Sequence, residues 1–394
     1  MASISSRINL YLFTMMIAIC ISTFVTESIV IVWIINLVGL FLIFLPYFKS
    51  TNFSLLFLAI SYLFFGVFTF LVNLGYLSDD LKSIGTNINI LIFPTMLLIA
   101  YSVKTRNSLD KNSIVSVLKF LSILGTISVA FAWAMGASDI LSVFSGMSAY
   151  QARVYGIFYS KNIYGAFVGL TMAADLYLLS EKRRLDIMLL LGIKFIAVIV
   201  SFSRAALLQT VVMIFIFYCL KNKRKLIDYV LLFIAALAII FIIYLILADP
   251  DLTNFFMNSV FRVQGGDAGR AMLRERALSL IPDDIIHILL GVGFPGVDAL
   301  KIDVDNTYLY LWFTGGFPKV FAYLSAAIYS LYKIIKLKSQ DTILYRICIS
   351  IFISYLFFAF FESVAFLELG LLNFVYTFFL FFIPMGYYSG PKSL

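Results

Sequence analysis

Apolar runs of about 18 residues or more recur along nearly the whole chain, divided by short polar breaks that carry most of its charge. In hydrocarbon such runs are helical, because every backbone N–H and C=O must be satisfied within its own segment. The short alternating strands of a membrane β-barrel are absent from the pattern. The spacing predicts helices over 8–25, 28–47, 53–75, 85–102, 113–135 and 162–180. The stretch 187–220 is too long for one span and is interrupted by Ser201-Phe202-Ser203-Arg204. Basic residues flank it on both sides, Lys182, Arg183 and Arg184 before it and Lys221, Lys223, Arg224 and Lys225 after it. By the positive-inside rule both flanks are cytoplasmic, which makes the stretch a hairpin of two shortish helices with its apex toward the far side. Spans at 226–248, 307–332, 343–361 and 369–388 bring the expected total to twelve.

The expectation is therefore an all-α integral membrane protein, one polytopic domain over 1–394 with both termini cytoplasmic. Two outer loops exceed mere connectors, one over 136–161 and a larger one over 249–306, between helices 9 and 10. The early Arg7 precedes a long apolar run that lacks a small-residue cleavage site, so the N-terminus reads as a first membrane helix.

Composition supports the lipid environment and narrows the chemistry. The chain is 62% hydrophobic and 13% charged, whereas a water-soluble domain carries about a quarter of its residues charged. The net charge of +8 reports orientation in the membrane rather than nucleic-acid binding. Cys20, Cys219 and Cys348 lie far apart in apolar runs and form neither a metal spacing nor a disulfide framework. His287 is the only histidine, which excludes a Ser-His-Asp triad or a two-histidine metal site within one chain. With no phosphate-binding lysine loop and no dinucleotide fingerprint, no cofactor and no metal are expected.

Arginine is placed against this background. The positive-inside rule leaves outer loops poor in cations, yet Arg153, Arg262, Arg270, Arg274 and Arg276 fall in them, with Lys161 and Lys301 nearby. Arg204 stands inside the apolar hairpin, where a charge costs on the order of 3 kcal/mol at mid-membrane, and so it needs a partner. A headgroup or an internal carboxylate would serve, and so would a phosphate or pyrophosphate, which the planar guanidinium binds bidentately. Lys119 and Lys194, also within helices, are long amines able to reach an interface or a polar bundle interior. Helical spacing puts Arg270 and Arg274 on one face of an outer segment, suited to an anion or to lipid headgroups. Asp303 and Asp305 stand at the mouth of the next helix, where the helix dipole favours carboxylates.

Four local motifs, in order between about 160 and 320, resemble the O-antigen polymerase and O-antigen ligase superfamily. They are Tyr159-Ser-Lys161-Asn162-Ile-Tyr-Gly165, Ser201-Phe-Ser203-Arg204-Ala, Gly269-Arg270 with Leu290-Gly291-Val-Gly293-Phe, and Asp305-Asn306-Thr-Tyr-Leu with Gly315-Gly316. The resemblance implies a GT-C-like membrane glycosyltransferase of the bacterial inner membrane, its site facing the periplasm. The implied substrates are undecaprenyl-pyrophosphate-linked oligosaccharides, as donor and acceptor, with a chain-length regulator protein as a further expected partner. Arg204 and Arg270 would grip the pyrophosphate, and Arg153, Lys161, Asn162, Arg274 and Asn306 would assist. Asp305 is the expected group for the acceptor hydroxyl, with Asp303, Glu362 and Glu368 as substitutes. Ligases carry His-Asn where this chain has Asp305-Asn306, which favours a polymerase over a ligase; a flippase is the rival from another class.

Overall fold

The computed structural model describes residues 4–23, 35, 38–39, 64, 109–144, 154–182, 184–221, 275, 278–279, 285–293, 306–366 and 370–387. Among these residues the chain is helical, and no strand occurs. Five helices among the described residues are long and apolar enough to cross a membrane. They are α1 (Ile4–Ile21), α2 (Lys111–Phe144), α3 (Lys161–Glu181), α7 (Thr307–Leu337) and α8 (Thr342–Ala359). Between them lie α4 (Leu185–Val200), α5 (Arg204–Cys219) and the short α6 (Ile285–Leu290). The last, α9 (Leu371–Gly386), contains a π-helical turn at Phe378–Phe382. The expected spans at 28–47, 53–75, 85–102 and 226–248 lie outside the described residues, apart from isolated positions.

The interruption at 201–204 divides its stretch as the polar break predicts. Ser201 Oγ bonds the carbonyl of Val198, and Ser203 Oγ accepts from the N–H of Ala206, so one serine closes α4 and the other opens α5. One expectation is corrected. The segment 136–144, read as the start of an outer loop, continues α2 to Phe144, because nothing in Gly136-Ala-Ser-Asp-Ile-Leu terminates a helix and the apolar pattern persists. At 34 residues this helix is about 50 Å long, well beyond the hydrocarbon thickness of about 30 Å.

The helix α3 runs through the centre and is buried on nearly every side from Tyr164 to Tyr177. A Cβ on Gly165 would stand 2.7 Å from Ser201 Oγ and 2.8 Å from Ala206 Cβ, and one on Gly169 would stand 2.2 Å from Thr210 Oγ1. Two glycines four apart thus let α5 approach α3 at backbone distance. Such seams matter in lipid, where association rests on close van der Waals packing rather than on the hydrophobic effect.

At one end Lys111 pairs with Glu181 at 2.8 Å, Leu109 N–H bonds the carbonyl of Gly386, and Tyr387 Oη lies 3.4 Å from Asp341. Desolvation and the Asp341 carboxylate push the Tyr387 phenol up to about 12. Arg346 at this end donates to the carbonyl of Phe217 at 2.8 and 3.1 Å and lies over its ring, closing the last turn of α5 against α8. The basic groups Lys182, Lys221, Lys336 and Lys338 flank these same helix ends. The opposite end holds the start of α3, the hairpin apex, the start of α7 and the turn after α8.

Candidate functional site

At that opposite end three helices begin, α3 and α5 packed on each other and α7 joined to the head of α3 through the turn after α8. Ser160 caps α3, its Oγ accepting from Asn162 N–H at 3.2 Å. Ser203 caps α5, which puts Arg204 in the first turn, half-buried. Asn306 caps α7 by accepting from Leu309 N–H at 3.0 Å, and its Nδ2 donates to the carbonyl of Phe360 at 3.1 Å. The positive ends of three helix dipoles therefore lie at the same end of the bundle, and those of α3 and α7 both border the turn after α8, a setting that favours negative charge.

The centre of the cluster is Glu362, in the turn after α8 and buried. Asn162 Nδ2 donates to its Oε1 at 2.5 Å. Its backbone is held as firmly: Thr307 Oγ1 lies 2.6 Å from the Glu362 carbonyl and accepts from Val364 N–H at 3.0 Å. Tyr355 donates to the carbonyl of Val364 at 2.8 Å and is hydrogen-bonded to Tyr323, while Phe366 stacks on Tyr323. An aromatic column shared by α7, α8 and α9 thus fixes a turn that hydropathy alone reads as a connector. Tyr308 and Phe360 pack at 5.1 Å on the same rim, and Tyr159 is exposed beside it.

Backbone geometry at the apex is unusual. Phe202 has φ +53°, the one described non-glycine residue in the left-handed region. A bulky side chain there is strained and persists only where its surroundings impose it, here two serine caps and the seam at Gly165.

The glycine motifs meet on α7. At Gly316 the helix breaks, with φ +63° and ψ −164°, and Pro318 follows. The carbonyl of Leu289, at the end of α6, would lie 2.1 Å from a Cβ on Gly316, and Gly291 (φ +72°) faces the carbonyls of Trp312 and Phe313 just as closely. Trp312 Nε1 completes the junction by donating to the carbonyl of Ile288 at 2.8 Å. Gly291 and Gly316 are thus two halves of one close approach between α6 and α7.

No family model, curated protein or solved structure matches the chain. The site must be read from its own chemistry. The fold joins Asn162 to Glu362 and Asn306 to the same turn, and it sets Lys161 and Arg204 in the first turns of the two neighbouring helices α3 and α5. Asn306 serves as a cap and a tether, its amide engaged on both sides. Arg153, Arg270, Arg274, Asp303, Asp305 and Glu368 lie outside the described residues. Among the described residues no three His, Cys, Asp or Glu side chains are grouped as a metal site. Sequence reasoning ranked Glu362 only as a substitute for Asp305; its one signal was a carboxylate between two apolar helices. Tyr164, Gln209 and Tyr376, on the helices around the site, are buried with no hydrogen-bond partner among the described residues for their side-chain polar atoms.

Proposed function

We propose that the chain is a membrane polymerase of surface polysaccharide, a glycosyltransferase that joins oligosaccharide units carried on undecaprenyl pyrophosphate. The observation that carries the reading is the placement of three helix N-termini, Arg204 and the buried carboxylate of Glu362 at the one end of the bundle remote from the basic cluster. Glycosyl transfer from a diphosphate carrier asks for both kinds of group. Cations and helix dipoles stabilise the departing diphosphate in a low-dielectric site, and a carboxylate receives the proton of the attacking hydroxyl.

In the proposed step the acceptor hydroxyl oxygen bonds to the anomeric carbon of the donor sugar. The bond from that carbon to the diphosphate oxygen breaks, and its electron pair leaves with the diphosphate. Arg204, joined by Arg270 from the outer loop, meets the developing charge, with Lys161 as a weaker contributor. Glu362 or Asp305 takes the proton. The twelve-span scaffold, the GT-C-like class and the periplasmic orientation of this end belong to the same proposal, the last because lysine and arginine concentrate at the other end.

Reconstitution of the purified protein with lipid-linked repeat units tests it. A ladder of lengthening products is expected, and Arg204→Ala should abolish it while leaving the amount of protein in the membrane unchanged. Long products from the Arg204→Ala protein would remove the clamp. Transfer of a single unit to a lipid acceptor would make the chain a ligase, and movement of units without bond formation would make it a transporter.

A further inference from the structure

Some 10 Å along α4 from the apex lies a charged cluster that the proposed chemistry does not use. Lys194 on α4 and Asp175 on α3 are buried, 0% and 1% exposed, and their Nζ and Oδ2 are 2.7 Å apart. Ser122 on α2 completes the cluster: its carbonyl accepts from Lys194 Nζ at 3.0 Å, and its hydroxyl donates to Asp175. Lys194, one of two lysines read from the sequence as able to reach an interface or a polar bundle interior, takes the interior; Lys119, the other, is exposed.

The helix that carries Lys194 has little else to fix it. Its buried positions are Ile187, Lys194, Ala197 and Val198, a single narrow stripe, while Leu185, Met188, Leu189, Ile196 and Ile199 are exposed. Apart from its first turn and Lys194, α4 is apolar all round. In lipid the hydrophobic effect does not choose among the apolar faces of such a helix, since acyl chains are as apolar as the bundle, and only van der Waals fit and polar contacts do. A rotation by one residue turns it through about 100° and a slide by one residue moves it about 1.5 Å, with no hydrophobic penalty in either case. A buried polar pair does carry such a penalty, and fixing register is the best-attested use of one. Only Ser201, Phe202 and Ser203 separate α4 from Arg204, so the register of α4 is passed directly to the head of α5.

We propose that the Asp175–Lys194 pair, seated on Ser122, is the pin that sets the rotation and depth of α4, and that both residues act as positioning residues for Arg204 through the three-residue apex. The consequence for activity rests on the reading of Arg204 given above; the pin itself does not.

The test uses the full chain in lipid nanodiscs, with Cys20→Ser, Cys219→Ser and Cys348→Ala. Nitroxide labels are placed at Ile199→Cys on α4 and Met135→Cys on α2, both exposed. The native pair and Asp175→Glu, which keeps the charges, should give one narrow distance distribution. In D175L/K194M the buried charges are removed together, which leaves no unpaired ion; the distribution should split or at least double in width, and ladder formation should fall tenfold or more. Should the leucine variant fail to fold, D175N/K194M, which keeps a group able to bond Ser122, carries the same expectation. A native, narrow distribution in either folded variant overturns the pin whatever the polymer assay gives. Absence of a ladder from the native protein, with broadening in the apolar variant, overturns the polymerase reading alone.

Discussion

Glu362 and Asn162 are 200 positions apart in the chain, yet one amide donates directly to the other's carboxylate. That contact makes Glu362 the described group best placed to take a proton from an acceptor hydroxyl, a role sequence reasoning gave first to Asp305. Glu362→Gln retains a hydrogen-bonding oxygen for Asn162 but has nothing with which to accept a proton. It is expected to slow ladder formation by roughly 10² to 10⁴-fold, the usual contribution of a general base. Glu362→Asp should restore part of the rate. Initial rates at saturating lipid-linked substrate decide the matter: a Gln variant within twofold of native returns the proton to Asp305. The sequence exposed Arg204 readily, because a guanidinium in an apolar run is conspicuous. It had no comparable signal for Glu362, which sits in a turn where a carboxylate needs no explanation.

At the scale of elements, glycines separate two kinds of requirement. Gly316 stands where φ is positive and a Cβ would meet the Leu289 carbonyl at 2.1 Å, so Gly316→Ala demands both a disfavoured backbone and displacement of α6. A destabilisation of about 1–3 kcal/mol is expected from the backbone alone. It would show as a lower melting temperature in detergent and as faster proteolysis of Ile285–Val292. Gly192 in α4 has nothing within 4 Å of a Cβ, and Gly192→Ala should be neutral or raise stability by up to about 1 kcal/mol through its helix preference. Equal effects of the two substitutions would refute the account of the α6–α7 junction. The pattern of apolar runs foretold α3, α8 and α9 to within two residues and the break between α4 and α5. It missed the extension of α2 and the break in α7, since hydropathy reports whether a residue suits lipid and not whether the backbone bends there.

Across the whole molecule the described helices place a cluster of lysine and arginine at one end and the candidate site, with Lys161 and Arg204, at the other. The topology this implies is open to labelling. In intact cells, with the native cysteines replaced, Tyr159→Cys should react with a membrane-impermeant maleimide, and Lys338→Cys should react only after permeabilisation; both positions are exposed. The reverse pattern would turn the site toward the cytoplasm, away from the side on which the proposed substrates are displayed.

The amino-acid sequence by itself determined that this chain is helical and belongs in lipid, because length and apolarity of a run are properties of the run alone. It also singled out the polar break of the hairpin and the arginine there. The tertiary structure decided which groups meet: Asn162 with Glu362, Gly165 with the apex, Gly291 with Gly316, and Lys194 with Asp175. Partnership could not be read earlier, because protein interior and acyl chains are equally apolar, so hydropathy marks no inner face on a membrane helix.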